Sequence, residues 1–167
     1  MTGIYTWSAT ADISLKADIF ISAYPSRSNF IIGALGKPYN VKTYYGLFIS
    51  GTDKCGCCDQ NGRDRCRGVG AVGFVNNVHG CCSATYSTLN TVPLNAWTTV
   101  EARRTSGSWS FYINGQLSDH HYAPENLNSL NVGNSNVPVY IGFNANDDHV
   151  FEGSISNVYI DGRLVST

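Results

Sequence analysis

Residues 11–22 read Ala-Asp-Ile-Ser-Leu-Lys-Ala-Asp-Ile-Phe-Ile-Ser. Ala11, Ile13, Leu15, Ala17, Ile19 and Ile21 alternate there with Asp12, Ser14, Lys16, Asp18, Phe20 and Ser22. Successive side chains of a strand point to opposite faces, so this period of two predicts a strand with one face in a core and the other in water. Asp12 and Asp18 fall on the wet phase and read as solvated strand residues rather than ligands.

The rest of the chain follows the same rhythm in shorter pieces. Residues 24–29 break the first strand and 30–35 resume it; Gly36-Lys37-Pro38-Tyr39-Asn40 reads as a further turn. Residues 44–50, 69–75 and 84–88 are short strand candidates, and 51–68, almost without core-forming side chains, reads as a long surface loop. Residues 97–104 and 109–114 flank Thr105-Ser106-Gly107-Ser108 as a hairpin, with Asn114-Gly115 supplying the positive φ of the next turn. A polar stretch, 116–136, leads to a strand at 137–143. The loop Asn144-Ala145-Asn146-Asp147-Asp148 and a last strand at 151–160 follow, then the turn Asp161-Gly162. The apolar phase slips between Ile155 and Val158, which predicts a β-bulge. No segment has helical periodicity. Many short strands with turns between them predict an all-β sandwich or barrel.

Composition agrees. Seventeen Gly, ten Tyr, seven Phe and three Trp in 167 residues favour strands over helices. The length suits one domain, 1–167, with a full core. Eleven Lys+Arg against twelve Asp+Glu give a net charge of -1, which argues against non-specific nucleic-acid binding. No apolar run approaches the roughly 20 residues of a membrane helix, so no membrane insertion is expected. The start lacks a basic-then-apolar signal peptide, which fits a processed, recombinant or cytosolic chain.

Six cysteines, Cys55, Cys57, Cys58, Cys66, Cys81 and Cys82, lie outside the aromatic core regions, which points to cross-links or metal. The Cys-x-Cys-Cys and Cys-Cys spacings are not those of zinc sites, so disulfides and an oxidising, extracellular compartment are the reading. Adjacent cysteines seldom bond to each other, because the bridge needs a longer Cα separation. Cys81 and Cys82 are therefore expected each to reach into the 55–66 loop. The two remaining cysteines pair internally or join two chains. Six cysteines allow fifteen pairings, and the sequence does not choose among them.

Two polar clusters could carry a site. Asn144, Asn146, Asp147 and Asp148 concentrate hard oxygen donors in one loop, as calcium requires, and adjacent carboxylates repel unless a cation offsets them. The competing reading is that Asn and Asp simply populate a turn. Asp119, His120, His121, Tyr122, Glu125 and Asn126 form the second cluster, where Glu125 and Asn126 could share a cation with a ligand hydroxyl and Tyr122 could face a sugar ring. A solvated loop is the alternative there. Asp59, Asn61 and Asp64 have no closing acidic residue at calcium-loop spacing, and Arg63, Arg65 and Arg67 cancel their charge.

No catalytic set is evident. Paired glycosidase carboxylates are missing: only three Glu exist, and Glu101 alternates with Val100 and Ala102, hence faces solvent. His79, His120, His121 and His149 lack a nucleophile partner, and oxidised cysteines exclude thiol catalysis.

The run Trp97-Thr98-Thr99-Val100, then Trp109-Ser110-Phe111-Tyr112-Ile113-Asn114-Gly115, resembles the W-x-x-V and W/L-x-x-Y-x-N-G hairpin of laminin-G-like domains. Val139-Tyr140-Ile141-Gly142 followed by residues 151–160, with F-x-G-x-I-x-x-V, resembles their closing strands. The resemblance covers residues 97–160 and implies a concanavalin-A-like jelly roll of two antiparallel sheets. Its Trp, Phe, Ile and Gly are expected to serve packing and turns, not a site. The family is mostly a binding fold. In size and cysteine content the chain is also similar to calcium-dependent galactose lectins of marine invertebrates.

The sequence therefore reads as a secreted, disulfide-stabilised jelly-roll lectin. It is expected to bind galactose or another vicinal-diol sugar through Ca2+, with Tyr122 or Tyr39 against the sugar ring and a homodimer, disulfide-linked if the two remaining cysteines join chains, giving multivalence. A protein-binding adhesion module and a polysaccharide-active enzyme are the alternatives. Strand parity is expected to gather the 24–29, 36–43, 76–80, 105–108 and 144–150 turns at one end, and the Cys loop with 116–136 at the other.

Overall fold

The computed structural model describes residues 3–5, 12–27, 29–35, 44–52, 69–76, 84–87, 91–106, 108–118, 120–121, 137–142 and 150–167. The described strands are β1 (Gly3–Tyr5), β2 (Ile13–Phe20), β3 (Asn29–Leu35), β4 (Tyr44–Ile49), β5 (Val72–Asn76), β6 (Ala84–Ser87) and β7 (Trp97–Thr105). They continue as β8 (Ser108–Ile113), β9 (Gln116–Ser118), β10 (His120–His121), β11 (Val137–Ile141), β12 (Ser154–Ile160) and β13 (Arg163–Ser166). Two antiparallel sheets result, ordered β1-β11-β3-β4-β5-β6-β10 and β13-β12-β2-β7-β8-β9. This is the two-sheet jelly-roll sandwich expected from the sequence, with no helix among the described residues. Nor is any described helix long and apolar enough to cross a membrane.

The alternation in β2 works as its period demands. Leu15, Ala17, Ile19 and Ile21 are completely buried, while the residues between them are half-exposed. Each fully buried Leu or Ile contributes about 1.5–3 kcal/mol. Val100, Ala102, Trp109, Phe111 and Ile113 line the same core from β7 and β8, and Ile31, Ile32, Leu47, Ile49, Val72 and Phe74 face them from the other sheet. Trp109 stacks on Phe74 across the sandwich, centroids 4.1 Å apart.

Turn chemistry sets the register. Asn114 (φ 51°) and Gly115 (φ 76°) form the turn between β8 and β9, and Asp161 (φ 49°) and Gly162 (φ 76°) that between β12 and β13, the left-handed pairs a two-residue hairpin needs. The predicted bulge is present: β12 shifts register on β2 between Ser156 and Tyr159, with Asn157 at φ 49°.

Four short strands exceed the sequence expectation. β1 and β13 are brief edge strands with little alternation to read. β9 and β10 lie in the stretch read as polar loop, and together they carry the chain from the edge of one sheet to the edge of the other. This extra run, taken in one direction, reverses the up-and-down count for everything after it. The expected partition of the turns is corrected on two counts: this run exchanges the rims of 122–136 and 143–149, and the single strand β3 puts 24–29 at the rim opposite 36–43. β2 ends, β3 begins, β4 ends, β5 begins, β11 ends and β12 begins at one rim. The Cys-rich connection and residues 143–149 are therefore anchored together with 21–28. Residues 36–43, 77–83 and 122–136 leave their strands at the opposite rim.

Candidate functional site

The first rim is knitted by main-chain hydrogen bonds among the segments that enter and leave the strands there. Ser50 N–H donates to Ala71 O (2.8 Å), Gly70 N–H to Ser50 O (3.0 Å), Val92 N–H to Gly70 O (3.0 Å) and Asn95 N–H to Ile21 O (2.8 Å). Tyr24 adds its hydroxyl to Val92 O at 3.0 Å. Gly70 sits at φ 74°, and a Cβ there would lie 2.3 Å from Tyr24 Cε1, so glycine is what lets the ring lie against this backbone.

Gly142 and Phe151, which flank residues 143–149, are tied down at the same rim. Gly142 N–H donates to Ile31 O and Phe151 N–H to Gly142 O, both at 2.9 Å, so the chain is pinched together where the segment leaves and returns. Asn144, Asn146, Asp147 and Asp148 lie inside the pinch, outside the described residues. Two buried polar groups belong to this rim: Asn29 is 3% exposed and Ser50 fully buried, and neither Asn29 Nδ2 nor Ser50 Oγ has a hydrogen-bond partner among the described residues. Buried polar groups are normally satisfied.

The second cluster is anchored elsewhere. His120 and His121 form β10, an edge of the seven-stranded sheet, opposite Ser87 and Tyr86. Asp119, Tyr122, Glu125 and Asn126 lie outside the described residues, as do Tyr39 and the six cysteines, Cys55, Cys57, Cys58, Cys66, Cys81 and Cys82. The strand ends from which the two polar clusters depart are at opposite rims, so the fold does not join them at their anchors. Among the described residues no three His, Cys, Asp or Glu side chains group as metal ligands.

The outer face of the six-stranded sheet holds a surface the sequence reading passed over. One row across it is Ser154, Phe20 and Trp97, and the next is Ser156, Asp18 and Thr99. Behind them stand Tyr159, Lys16, Glu101 and Tyr112. The Asp18 carboxylate accepts from Thr99 Oγ1 at 2.6 Å and from Asn157 Nδ2 at 2.8 Å. Glu101 faces outward as expected. It accepts from Ser14 Oγ (2.9 Å) and forms an ion pair with Arg103 at 2.7 Å. The hydrogen bonds that Arg103 donates to Glu101, opposed by partial desolvation, hold its guanidinium above the usual arginine pKa. Lys16 lies 5.1 Å over the Tyr159 ring and Arg103 4.8 Å over Tyr112.

Here the expectation that the motif tryptophans only pack is half corrected. Trp109 is buried, but Trp97 is 55% exposed. The signal was present in the phase of β7: Trp97 shares the alternation of Thr99, Glu101 and Arg103, not that of Thr98, Val100 and Ala102.

Comparison with known proteins follows the fold. A laminin G family model, described as the concanavalin A-like lectin/glucanases superfamily, matches residues 76–167. No curated protein is significantly similar in sequence. Among solved structures, the LG1-3 region of the laminin alpha2 chain superposes with a TM-score of 0.64 at 13% identity, over 99% of this chain and 30% of that one. A heptameric SAP-like pentraxin from Limulus polyphemus gives 0.61 at 14% identity, over 95% and 67%. Domain 4 of AbnA, an extracellular arabinanase from Geobacillus stearothermophilus in complex with arabinotriose, gives 0.60 at 16% identity, over 92% and 61%. The chain thus corresponds to well under two thirds of the laminin region and somewhat under two thirds of the arabinanase domain. At these identities the likeness is one of fold.

Proposed function

Because this chain belongs to the concanavalin A-like lectin/glucanases superfamily, we propose that it is a non-catalytic carbohydrate-binding module, one jelly-roll domain over 1–167, that takes its sugar through calcium at the first rim. The observation that carries the reading is the Gly142–Phe151 pinch, which fixes the neck of a segment rich in hard oxygen donors to a rigid belt. Two carboxylates, Asp147 and Asp148, and two amides, Asn144 and Asn146, match the ligand chemistry of calcium, whose six to eight oxygens tolerate loop geometry. When bound, calcium supplies an electropositive centre on which two vicinal hydroxyls replace water.

The chain's own residues do the rest. The carboxylates and amides of the loop accept from and donate to the same hydroxyls, and the belt keeps the loop from collapsing when the ligand leaves. Galactose is the sugar proposed, since its cis 3- and 4-hydroxyls form a bidentate pair. The reading is supported at the level of fold by the arabinotriose complex of the AbnA domain. Cys55, Cys57, Cys58 and Cys66 belong to the connection anchored at this rim and Cys81 and Cys82 to the one anchored at the other; as disulfides of an extracellular protein they would brace those connections, and a homodimer would give two sites.

A glycan array run in calcium and again in EDTA tests the proposal. Binding to galactosides that vanishes in chelator is the expected result. Binding unchanged in chelator overturns the calcium mechanism, and turnover of the sugar overturns the non-catalytic reading.

A further inference from the structure

Four aromatic side chains stand on the outer face of the six-stranded sheet: Phe20, Trp97, Tyr112 and Tyr159. Two of them are covered by cations, Tyr159 by Lys16 and Tyr112 by Arg103. Trp97 is different. Its ring partner among the described residues is Phe20, tilted at 51° with centroids 5.9 Å apart, and more than half of Trp97 stays in water. A lone exposed tryptophan needs no explanation. What surrounds this one is informative.

One pleat along the same face, Asp18 is held from two sides, with Thr99 Oγ1 on Oδ1 and Asn157 Nδ2 on Oδ2. Each carboxylate oxygen accepts one of these bonds and keeps a second lone pair, so the group is fixed in position and still able to accept. The exposed Ser154 stands beside Phe20 in the outer row. An exposed indole bordered by an immobilised acceptor matches a ligand that is apolar on one side and carries hydroxyl donors at its edge.

We infer that Trp97, Phe20 and Asp18 form a saccharide-stacking site on the sheet face, separate from the rim loop. The C–H face of a pyranose lies on the indole, and ring hydroxyls donate to Asp18. Area argues for a small occupant. Two rings fall far short of the roughly 800 Å2 per partner that a stable protein interface buries, whereas one sugar ring covers an indole. Charge argues against an anionic one, since the Asp18 carboxylate borders the indole and Arg103 is already paired with Glu101. The inference rests on the carbohydrate-binding reading of the chain but not on calcium.

The test is a glycan array probed in calcium and in EDTA with the wild-type chain and with Trp97→Ala, Trp97→Phe and Asp18→Asn. Trp97→Ala is expected to weaken binding about tenfold or more, as loss of an aromatic platform does, and Asp18→Asn several-fold. Trp97→Phe, which keeps a ring, is expected to retain most of it. If Trp97→Ala binds the same glycans as wild type with equal affinity, the stacking site falls while the carbohydrate reading stands. If wild type binds no glycan in either condition, that reading falls and takes the site with it. Should Trp97→Ala disturb the fold, the indole N–H resonance of Trp97 in the wild-type chain gives a second readout. It shifts when a bound glycan is added, and an unmoved resonance overturns the inference.

Discussion

Gly70 shows how much one hydrogen atom in place of a methyl decides. Its φ of 74° and the 2.3 Å between a Cβ and Tyr24 Cε1 mean that Gly70→Ala forces both backbone strain and a displaced ring. The expected loss is about 1–3 kcal/mol, read as a lower urea midpoint at unchanged slope. Ser50 runs the other way. Its hydroxyl is buried with no partner among the described residues, so it carries a desolvation cost that no bond repays. Ser50→Ala should therefore raise stability by about 1 kcal/mol, or a melting temperature by about 2–4 °C. A fall on thermal denaturation would show that the hydroxyl has a use in the folded chain.

β2 is the element on which the sandwich is assembled, since it pairs with β12 on one side and β7 on the other. Adjacent positions on it should differ sharply. Leu15→Ala, at a fully buried site, should cost about 2–5 kcal/mol, while Lys16→Ala, next in sequence and on the outer face, should stay within about 1 kcal/mol. Chemical denaturation of the two variants checks this. The contrast also explains what could be read before any coordinates. Period-two alternation at 11–22, the Asn114-Gly115 and Asp161-Gly162 turns and the slipped phase at Ile155–Val158 each declare a backbone state locally, and each is found. β1, β9, β10 and β13 have two to four residues apiece, too few to show a period, and exist because a neighbouring edge offers hydrogen-bond partners. Trp97 is legible too, from the phase of β7, although the family likeness implies a packing role for it.

At the scale of the molecule, what the sequence could not disclose was which loops meet. That depends on counting reversals, and His120–His121 with Gln116–Ser118 add a run that polar composition hides. The result brings the 143–149 anchor to the rim of the Cys-rich connection and leaves the 119–126 cluster's exit at the other. Chelation makes this consequential. If the rim holds calcium, the ion binds the folded chain and not the unfolded one. At one hundred times its dissociation constant it should then add about 2.7 kcal/mol. Calcium should raise the melting temperature by several degrees, EDTA should reverse the rise, and Asp147→Asn with Asp148→Asn should abolish it. A wild-type melting curve indifferent to calcium would count against the rim site.

The hydrogen bond from Phe151 to Gly142 turns the stretch between them into a replaceable cassette. With its mouth stitched shut by the framework, doubling its length costs only about 0.6 kcal/mol in closure entropy. New sequence can therefore be installed there by insertion, at little expense to the strands that carry it.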